Sequence, residues 1–547
     1  MIAFVARVRL LLTSILQGKK LLLLVLGFLA LLSSRRSAQL FSPQVWDEEG
    51  RIITGFMEHS WHELFVPISG YLILIPKIIL GACLAISPYY LPQLSMLLTW
   101  GFIATVASLV ALAPTQLRGK VLCSLALFLV PSDAEVFGVA LYTFWWAAIP
   151  LFLVALWEYS PRLLWLRVLL VIFGALSSPT ILGVLPFLYF RIWRSKGMRS
   201  EIFLSVLATV LAVLQLRQLW TGEQVHIPSL LSMLKNVPPK FLGMFVIGNF
   251  TERLPILWTV GVALVLLIIA SVIFQKNRTS LIMLGFMWVM TAALSSSRVD
   301  PAILHPVLAG PRYFFYPYVI TLWLLIQLLT FDTINAIRWC AVAALLVSIF
   351  NGFQVWSRTH VDLHWAEHIR SARKFGSYVV PIQYDGALEN AWSIVLAGPS
   401  VKELMKHDFL ISQNKLEHLQ TFAYTVTSDR ASVISGLKFD GRHPREILPS
   451  NRTVDSLING RADIHPNEQA VVVQLQRGDR LCFYSGGEPS HLSMKILGYE
   501  ERFIDRLPVS GGWVMLEFAN SDLPSEFTLL IKGAGSSDAG KWSVGVF

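Results

Sequence analysis

Long apolar runs without charge constrain this chain more than any other feature. Three of the clearest are Leu21–Leu32, Phe203–Leu214 and Val260–Phe274. Such runs approach the roughly 20 residues that a helix needs to cross the hydrocarbon core of a bilayer. Only 15% of the 547 residues are charged, whereas soluble domains carry about 25%. The sequence therefore predicts a polytopic α-helical membrane protein and excludes a purely soluble enzyme.

The first apolar run has the general appearance of a signal peptide, because a basic stretch ending at Lys19-Lys20 precedes it. It lacks a clear small-residue cleavage site, and Arg35-Arg36 follow, so we expect an uncleaved first span with a cytoplasmic N-terminus. Counting this span, we expect about eleven transmembrane helices. The other ten are expected near residues 95–114, 119–132, 143–157, 163–177, 179–192, 201–217, 255–274, 281–296, 313–330 and 336–354.

The segment Tyr71–Ser87 decides the topology, because it is apolar enough to span but contains Pro76 and Lys77. As a span, it would put the basic cluster of residues 191–199 outside, against the positive-inside rule. As a helix lying at the interface, it puts that cluster inside, and we expect this second arrangement. The outer polar stretches are then residues 35–94, 131–142, 218–254 and 297–312, and everything after Phe350 also lies outside.

The chain after about Trp356 has a different composition, with short alternating segments separated by Gly, Ser, Asp and Pro. This pattern is typical of a β-sandwich. We expect a membrane module over residues 1–355, an outer connecting segment over 356–399 and an outer β-sandwich-like domain over 400–547. The strand-like segments are Tyr378–Gln383, Ala470–Leu475, Arg480–Tyr484, Trp513–Phe518 and Phe527–Lys532.

The net charge of +10 is typical of the short cytoplasmic loops of a membrane protein. No basic-aromatic module accompanies the charge, so we expect no nucleic-acid partner. The four cysteines are scattered and predict neither a disulfide framework nor a zinc site.

Three consecutive carboxylates, Asp47-Glu48-Glu49, follow the first span. Like charges raise each other's pKa, and a low dielectric raises it further. Such a cluster suits a general base, a metal site or a cationic partner. The alternative is a solvated acidic turn that caps a helix beginning near Gly50.

Taken with the stretches that follow, this motif resembles the C-type glycosyltransferase superfamily (GT-C), and within it a bacterial subgroup with a Trp-x-acidic-acidic-Gly signature. The resemblance covers about residues 40 to 385. The motifs that carry it are Trp46–Gly50, Gly70-Tyr71-Leu72, Pro76-Lys77, Glu135-Val136, Trp145 or Trp146, Gly310-Pro311-Arg312-Tyr313-Phe314, His364-Trp365 and Val380-Pro381-Ile382. The end of the chain is similar to a jelly-roll carbohydrate-binding module.

The resemblance implies a role for each of the site residues. Glu48 or Glu49, with Asp47 as the third choice, would be the general base that takes a proton from the acceptor hydroxyl. Arg312 and Lys77 would bind the phosphate of the donor; alternatively, both are interface anchors. The expected substrate-binding residues are Glu135, Tyr71, Trp145 and Tyr313.

The function so implied is an inverting transfer of a sugar from a polyprenyl-phosphate donor to a glycan or lipid-linked acceptor, on the periplasmic face of a bacterial inner membrane. Membrane lipids are the other expected partners, and dependence on a divalent cation, Mg²⁺ or Mn²⁺, stays open. One alternative is a transporter or lipid flippase, which would need charged or broken helices deep in the membrane and an inverted repeat. Another is an anchor protein that displays the β domain.

Overall fold

The chain is described here from a computed structural model. The structure describes residues 19, 21–46, 48–161, 163–221, 229–275, 278–297, 299–330, 334–358, 360, 365–372, 377–383 and 392–411, and the strands between residues 461 and 546. The chain divides into two compact units. The first comprises Met1–Leu40, Leu64–Ile78 and Met96–Thr359, and the second comprises Phe41–Glu63, Ile79–Ser95 and His360–Phe547.

Helices make up most of the described chain before residue 360. They are α1 (Leu21–Arg35), α2 (Ser37–Phe41), α3 (Glu49–His59), α4 (Leu74–Ile86), α5 (Leu91–Leu112), α6 (Lys120–Ala126), α7 (Thr143–Ala155), α8 (Leu164–Ser177), α9 (Ile181–Arg194), α10 (Arg199–Thr221), α11 (Leu230–Pro238), α12 (Met244–Ile247), α13 (Leu254–Phe274), α14 (Thr279–Ser296), α15 (Phe315–Thr330) and α16 (Asn335–Phe353). Short 3₁₀ turns cover Ser60–Phe65, Ala134–Val136 and Pro311–Phe314, and a π-helical turn covers Pro239–Gly243.

Among the described residues, six helices are long and apolar enough to cross a membrane. They are α5, α10, α13, α14, α15 with its preceding turn, and α16. The chain is therefore a polytopic helical protein by helix length and composition. Shorter apolar helices are α1, α4, α7 and α8.

Six is fewer than the eleven spans that the sequence predicts. The other five expected spans correspond to α1, α6, α7, α8 and α9, each of which is shorter than 18 residues. The span expected at residues 119–132 is wrong, because α6 has only 7 residues. At about 1.5 Å per residue it rises about 10 Å, a third of a hydrocarbon core of about 30 Å. The chain then turns at Leu127–Leu129 and continues without helix to Pro131.

The core of the first unit is built on α7 and α15. All 13 residues of α7 are buried, as is almost all of α15. Two of their indoles reach backbone carbonyls: Trp146 Nε1 donates to Val136 (2.8 Å), and Trp323 Nε1 donates to Cys123 (2.9 Å). Because the N–H groups of Trp146 and Trp323 are both paired, these two large side chains fill the core without a desolvation penalty.

Two buried glutamines join helices to non-helical backbone. The Gln215 amide on α10 accepts from the Leu72 N–H (3.0 Å) and donates to the Leu72 carbonyl (3.2 Å). It also donates to the Ala175 carbonyl (2.7 Å). Gln327 on α15 makes the same pair of bonds with Arg118 (3.0 and 2.9 Å). Each amide thus satisfies both backbone groups of one residue that lies outside a helix.

A buried ion triad joins the ends of α8, α9 and α10. Glu201 accepts from Arg167 Nη2 (2.8 Å), Arg191 Nε (2.8 Å) and Arg191 Nη2 (3.0 Å). All three side chains are at most 1% exposed. Arg191 was expected to lie in a cytoplasmic basic cluster, but its charge is balanced inside the protein. Only Arg194, Lys196 and Arg199 of that cluster are exposed.

In the second unit, the first polar loop packs against the chain after residue 360. Strands β1 (Ser377–Gln383) and β2 (Trp392–Ala397) form an antiparallel pair. A Cβ on Gly50 of α3 would collide with Ile382 and Ile394 of these strands, so α3 lies directly against them. Helix α17 (Trp365–Ala372) also contacts the first polar loop, since Trp365 Nε1 donates to the Pro88 carbonyl (2.9 Å). Helix α18 (Gly398–Lys406) follows β2.

The remaining strands are β3 (Arg461–Ile464), β4 (Val471–Gln476), β5 (Arg480–Ser485), β6 (Leu492–Ile496), β7 (Phe503–Ile504), β8 (Gly512–Glu517), β9 (Glu526–Gly533) and β10 (Trp542–Val546). They pair antiparallel in the orders β3-β10-β5-β8 and β4-β9-β6-β7. Each expected strand-like segment overlaps one of the strands, while the packing of the sheets into a sandwich stays a prediction.

Candidate functional site

Two 3₁₀ turns carry the site residues of the first unit. Glu135 lies in Ala134–Val136, between α6 and α7, and Arg312 lies in Pro311–Phe314, directly before α15. Gly310 precedes the second turn with a φ of 67°, and a Cβ there would approach the Tyr313 ring to 2.8 Å. Glycine meets both demands, so the Gly-Pro-Arg-Tyr-Phe sequence sets Arg312 at the beginning of α15.

Glu135, Arg312 and Tyr142 form one hydrogen-bonded cluster. Arg312 Nη1 donates to Glu135 Oε1 (2.6 Å) and to the Tyr142 hydroxyl (2.9 Å). The Tyr142 hydroxyl donates to the same carboxylate oxygen (2.8 Å), and the Arg312 N–H donates to Glu135 Oε2 (3.2 Å). Glu135 is 7% exposed and Arg312 is 28% exposed. The carboxylate therefore fixes a guanidinium that still reaches the surface.

Aromatic rings surround this guanidinium. It lies 5.6 Å from the ring centroids of both Tyr142 and Tyr313. The Tyr313 ring in turn meets Trp145 edge-on at 5.8 Å, and Trp145 is in contact with Tyr316 at 4.8 Å. Trp145, rather than Trp146, is thus the indole beside the cluster. Among the described atoms its buried N–H has no hydrogen-bond partner.

A second ion pair stands next to the first. Arg358 Nη1 donates to Asp133 Oδ1 (3.0 Å), two residues before Glu135. Burial alone would lower the pKa of Arg358, but the carboxylates of Asp133 and Glu135 outweigh it and raise that pKa. Burial and the positive charge of Arg358 lower the pKa of Arg36 to about 10. The site therefore concentrates arginines around two carboxylates.

Tyr71 follows a tight hairpin turn. Ile68 and Tyr71 exchange both backbone hydrogen bonds (3.0 and 3.1 Å), and Ser69 and Gly70 have φ values of 49° and 78°, as a type I′ turn requires. The Tyr71 ring contacts Phe144 at 5.9 Å. Tyr71 thereby joins the aromatic group of which Trp145 is part.

Lys77, expected to bind the donor phosphate, is completely buried. Its Nζ donates to the Val66 carbonyl (2.6 Å). This bond ties α4 to the base of the hairpin, so the structure gives Lys77 a structural contact. A role at the phosphate stays a prediction.

The first-loop carboxylates belong to the second unit. Glu49 is buried, and its Oε2 accepts from the Trp46 N–H (2.8 Å). Glu48 stands at the N-cap of α3 and is half-buried. Asp47 lies outside the described residues. The helix near Gly50 is present and begins at Glu49, but the Glu48 side chain makes no capping hydrogen bond. Glu49 is buried, so the alternative of a solvated acidic turn does not describe it.

The structure brings together four of the residues nominated from sequence: Glu135, Arg312, Tyr313 and Trp145. Sequence reasoning gave no role to Tyr142, whose hydroxyl bridges the ion pair, and none to Arg36 or Arg358. A tyrosine at the end of a loop expected on the outer face was the available signal for Tyr142. For the two arginines there was none, because their neighbours are far away in sequence.

Among the residues that the structure describes, no group of three or more His, Cys, Asp or Glu side chains could hold a metal ion. Asp47 lies outside that set, so the dependence on a divalent cation stays open.

No protein-family model matches the chain, and no curated protein is significantly similar to it. Function is therefore inferred from the residues themselves.

Proposed function

We propose that this chain is a GT-C-type membrane glycosyltransferase that moves one sugar from a polyprenyl-phosphate donor to a hydroxyl of a glycan or lipid-linked acceptor. The observation that carries the proposal is the Arg312 guanidinium. A buried carboxylate and a tyrosine hydroxyl fix it, aromatic rings flank it, and 28% of it stays exposed. This arrangement suits a phosphate bound beside a sugar.

Arg312 stabilises the leaving group. As the bond between the anomeric carbon and the phosphate oxygen breaks, its electron pair stays on the lipid phosphate and negative charge grows there. A fixed guanidinium stabilises this charge without reorganising during the reaction. The amino end of α15, which follows Arg312, adds a positive dipole in the same place.

A first-loop carboxylate acts as the general base. The acceptor hydroxyl forms the new bond to the anomeric carbon while its proton passes to Glu48 or Glu49. Glu48 is our first choice, because it is half-buried, whereas Glu49 is almost completely buried. One displacement at the anomeric carbon inverts its configuration.

The sugar binds against the aromatic side chains. Tyr313 and Trp145 offer ring faces and edges, and the Trp145 N–H, without a partner among the described atoms, offers a donor for a sugar hydroxyl. Glu135 acts by holding Arg312 and is a positioning residue for the phosphate.

A cavity of about 360 Å³ between α13 and α14 supports a lipid-linked donor. Both helices are candidate membrane spans. The side chains around the cavity are nearly all hydrocarbon and include Leu242, Val265, Ile269, Phe286, Val289 and Leu324. Such a lining suits a prenyl or acyl chain.

We place the N-terminus in the cytoplasm and the first polar loop and the tail in the periplasm of a bacterial inner membrane. Contacts within the second unit support a common side for the loop and the tail. The His360 ring nitrogen Nε2 lies 2.6 Å from the Ser42 carbonyl, and Trp365 binds Pro88. Segments that pack together in this way belong to one face of a membrane.

The eight strands after residue 460 form, in this proposal, a jelly-roll sandwich that recognises the acceptor glycan. Their two sheet orders interleave early and late strands, which is the connectivity of a doubled Greek key. Jelly rolls of this kind occur in lectins.

The test is mass spectrometry of surface and lipid-linked glycans from cells with matched protein levels. The cells carry wild type, Glu48→Gln, Glu49→Gln, Arg312→Gln or no copy. We expect wild type to add a hexose-sized increment, one of the two carboxamide variants to lose it, and Arg312→Gln to reduce transfer about 100-fold or more.

Two exposed residues provide matched controls. Glu58, near the other end of α3 from Glu48 and Glu49, is 72% exposed, and Arg253 is an exposed arginine of the first unit. Glu58→Gln and Arg253→Gln should retain the increment. Identical glycans in all cells, including those with no copy, would contradict the proposal, and substrate-uptake and lipid-flipping assays would then test the transporter alternative.

A further inference from the structure

Two large apolar side chains are exposed directly after α18. Phe409 is 80% exposed and Leu410 is 53% exposed, whereas the next residue, Ile411, is buried. Asp408 Oδ1 accepts from the N–H groups of Leu410 (2.9 Å) and Ile411 (3.0 Å). The turn is therefore fixed by hydrogen bonds, and it holds the Phe409 and Leu410 side chains in an exposed position.

This turn is tied to the entrance of a candidate membrane span. The Phe409 N–H donates to the Ile86 carbonyl (3.0 Å), and the Ser87 hydroxyl donates to Asp408 Oδ2 (2.6 Å). Ser87 stands four residues before Leu91, where α5 begins. All of these residues belong to the second unit.

The length of α5 fixes the position of its first residues along the membrane normal. It has 22 residues, so it rises about 33 Å and matches a hydrocarbon core of about 30 Å. Its amino end must therefore lie at a membrane boundary. Tyr89 and Tyr90 immediately precede it, as aromatic residues commonly do at the interface.

We propose that Phe409 and Leu410 insert into the lipid interface beside α5 and dock the tail on the membrane surface. In the membrane, this apolar turn is covered by lipid, at the boundary between head groups and acyl chains. Electrostatic attraction to anionic lipid is not needed, because Lys402 and Lys406 are offset by Glu403 and Asp408. The inference is independent of the proposed transferase activity.

Nitroxide accessibility in nanodiscs tests this docking with the full chain. Single cysteines replace Phe409 or Leu410 in a Cys340→Ser/Cys482→Ser background, with Cys83 and Cys123 left in place because both are buried. Glu403→Cys is the matched control, because Glu403 lies on the preceding helix α18 and is 62% exposed. The unsubstituted background reports any labelling of the buried thiols.

Collision of the spin label with oxygen and with a water-soluble nickel complex is measured in phosphatidylcholine discs and in discs with added phosphatidylglycerol. We expect labels at 409 and 410 to meet oxygen more than nickel in both lipids, and the label at 403 to show the reverse. Accessibility at 409 and 410 equal to that at 403 would overturn the proposal. So would protection that occurs only with phosphatidylglycerol, because the contact would then be electrostatic.

Discussion

Replacing Glu201 by glutamine should destabilise the first unit strongly. The carboxylate accepts three charge-assisted hydrogen bonds from Arg167 and Arg191, and all three side chains are almost inaccessible to solvent. Breaking a buried ion pair by removing one partner costs about 3–5 kcal/mol, because the remaining charge is left uncompensated.

The lower end of that range applies here, because both guanidinium groups keep other partners. Arg191 also donates to the carbonyls of Ala155 and Trp157, and Arg167 lies 5.9 Å from the Trp157 ring. We therefore expect Glu201→Gln to lower the free energy of unfolding by about 3 kcal/mol. This is roughly a hundredfold change in the folding equilibrium.

The assay is unfolding in mixed micelles of a mild detergent and dodecyl sulfate, followed by circular dichroism. Glu403→Gln is the control, because its ion pair with Lys406 is exposed to solvent and its loss should leave the unfolding transition almost unchanged. The triple replacement Arg167→Met/Glu201→Leu/Arg191→Met should recover most of the loss, since apolar residues of similar volume can replace a buried triad. A decrease of less than about 0.5 kcal/mol in the free energy of unfolding of Glu201→Gln would refute the reasoning, because removing the counter-ion of a buried charge is strongly destabilising.

Three further predictions concern the first unit. Burial lowers the pKa of His305, and its Nδ1 accepts from the Val307 N–H (3.2 Å). The neutral ring therefore stabilises the folded protein fully above the ordinary histidine pKa, and this stabilisation is lost as the pH falls below about 6.5. Hydrogen exchange of the Val307 amide, corrected for its intrinsic rate, should become faster between about pH 7 and pH 5 in wild type but not in His305→Asn. The same pH dependence in both proteins would show that His305 does not cause the change. Gln215→Leu removes the bonds to both backbone groups of Leu72, should cost about 1–3 kcal/mol, and should accelerate exchange of the Leu72 amide; an unchanged rate would contradict this. Tyr142→Phe deletes the hydroxyl that bonds both members of the ion pair of the site and should slow sugar transfer about 2- to 10-fold at equal protein level. A transfer rate equal to that of wild type would show that the Tyr142 hydroxyl does not contribute to the site.

The class of the fold follows from the sequence, because a bilayer admits little besides uncharged apolar helices. The run Val260–Phe274 falls within α13, and the expected span at 281–296 falls within α14. Length alone did not predict where helices stop. Residues 119–132 are apolar enough to suggest a span, yet α6 ends at Ala126. The N–H groups of Leu127–Leu129 then donate to carbonyls of the last residues of α6, and the backbone turns.

The candidate site was predicted as separate residues and not as a cluster. Glu135 and Arg312 stood out as a charged residue in a short outer loop and a cation before a span. That they form one ion pair depends on two turns 177 residues apart in sequence. The same holds for Arg358 with Asp133, because pattern and spacing within one segment carry no information about the opposite segment.

Sequence by itself determined which stretches are apolar, where polar loops interrupt them and which residue types stand in those loops. These features depend on local chemistry and on the cost of placing charge in hydrocarbon. Only the tertiary structure decided which charged side chains reach the surface and can contact a ligand. Arg191 and Lys77 read as cations at a surface, but both are buried, one with Glu201 and one on the Val66 carbonyl. Arg312 has a buried carboxylate partner and still reaches the surface. The physical reason is that the burial of a charge is set by the elements packed around it, and these come from distant parts of the chain.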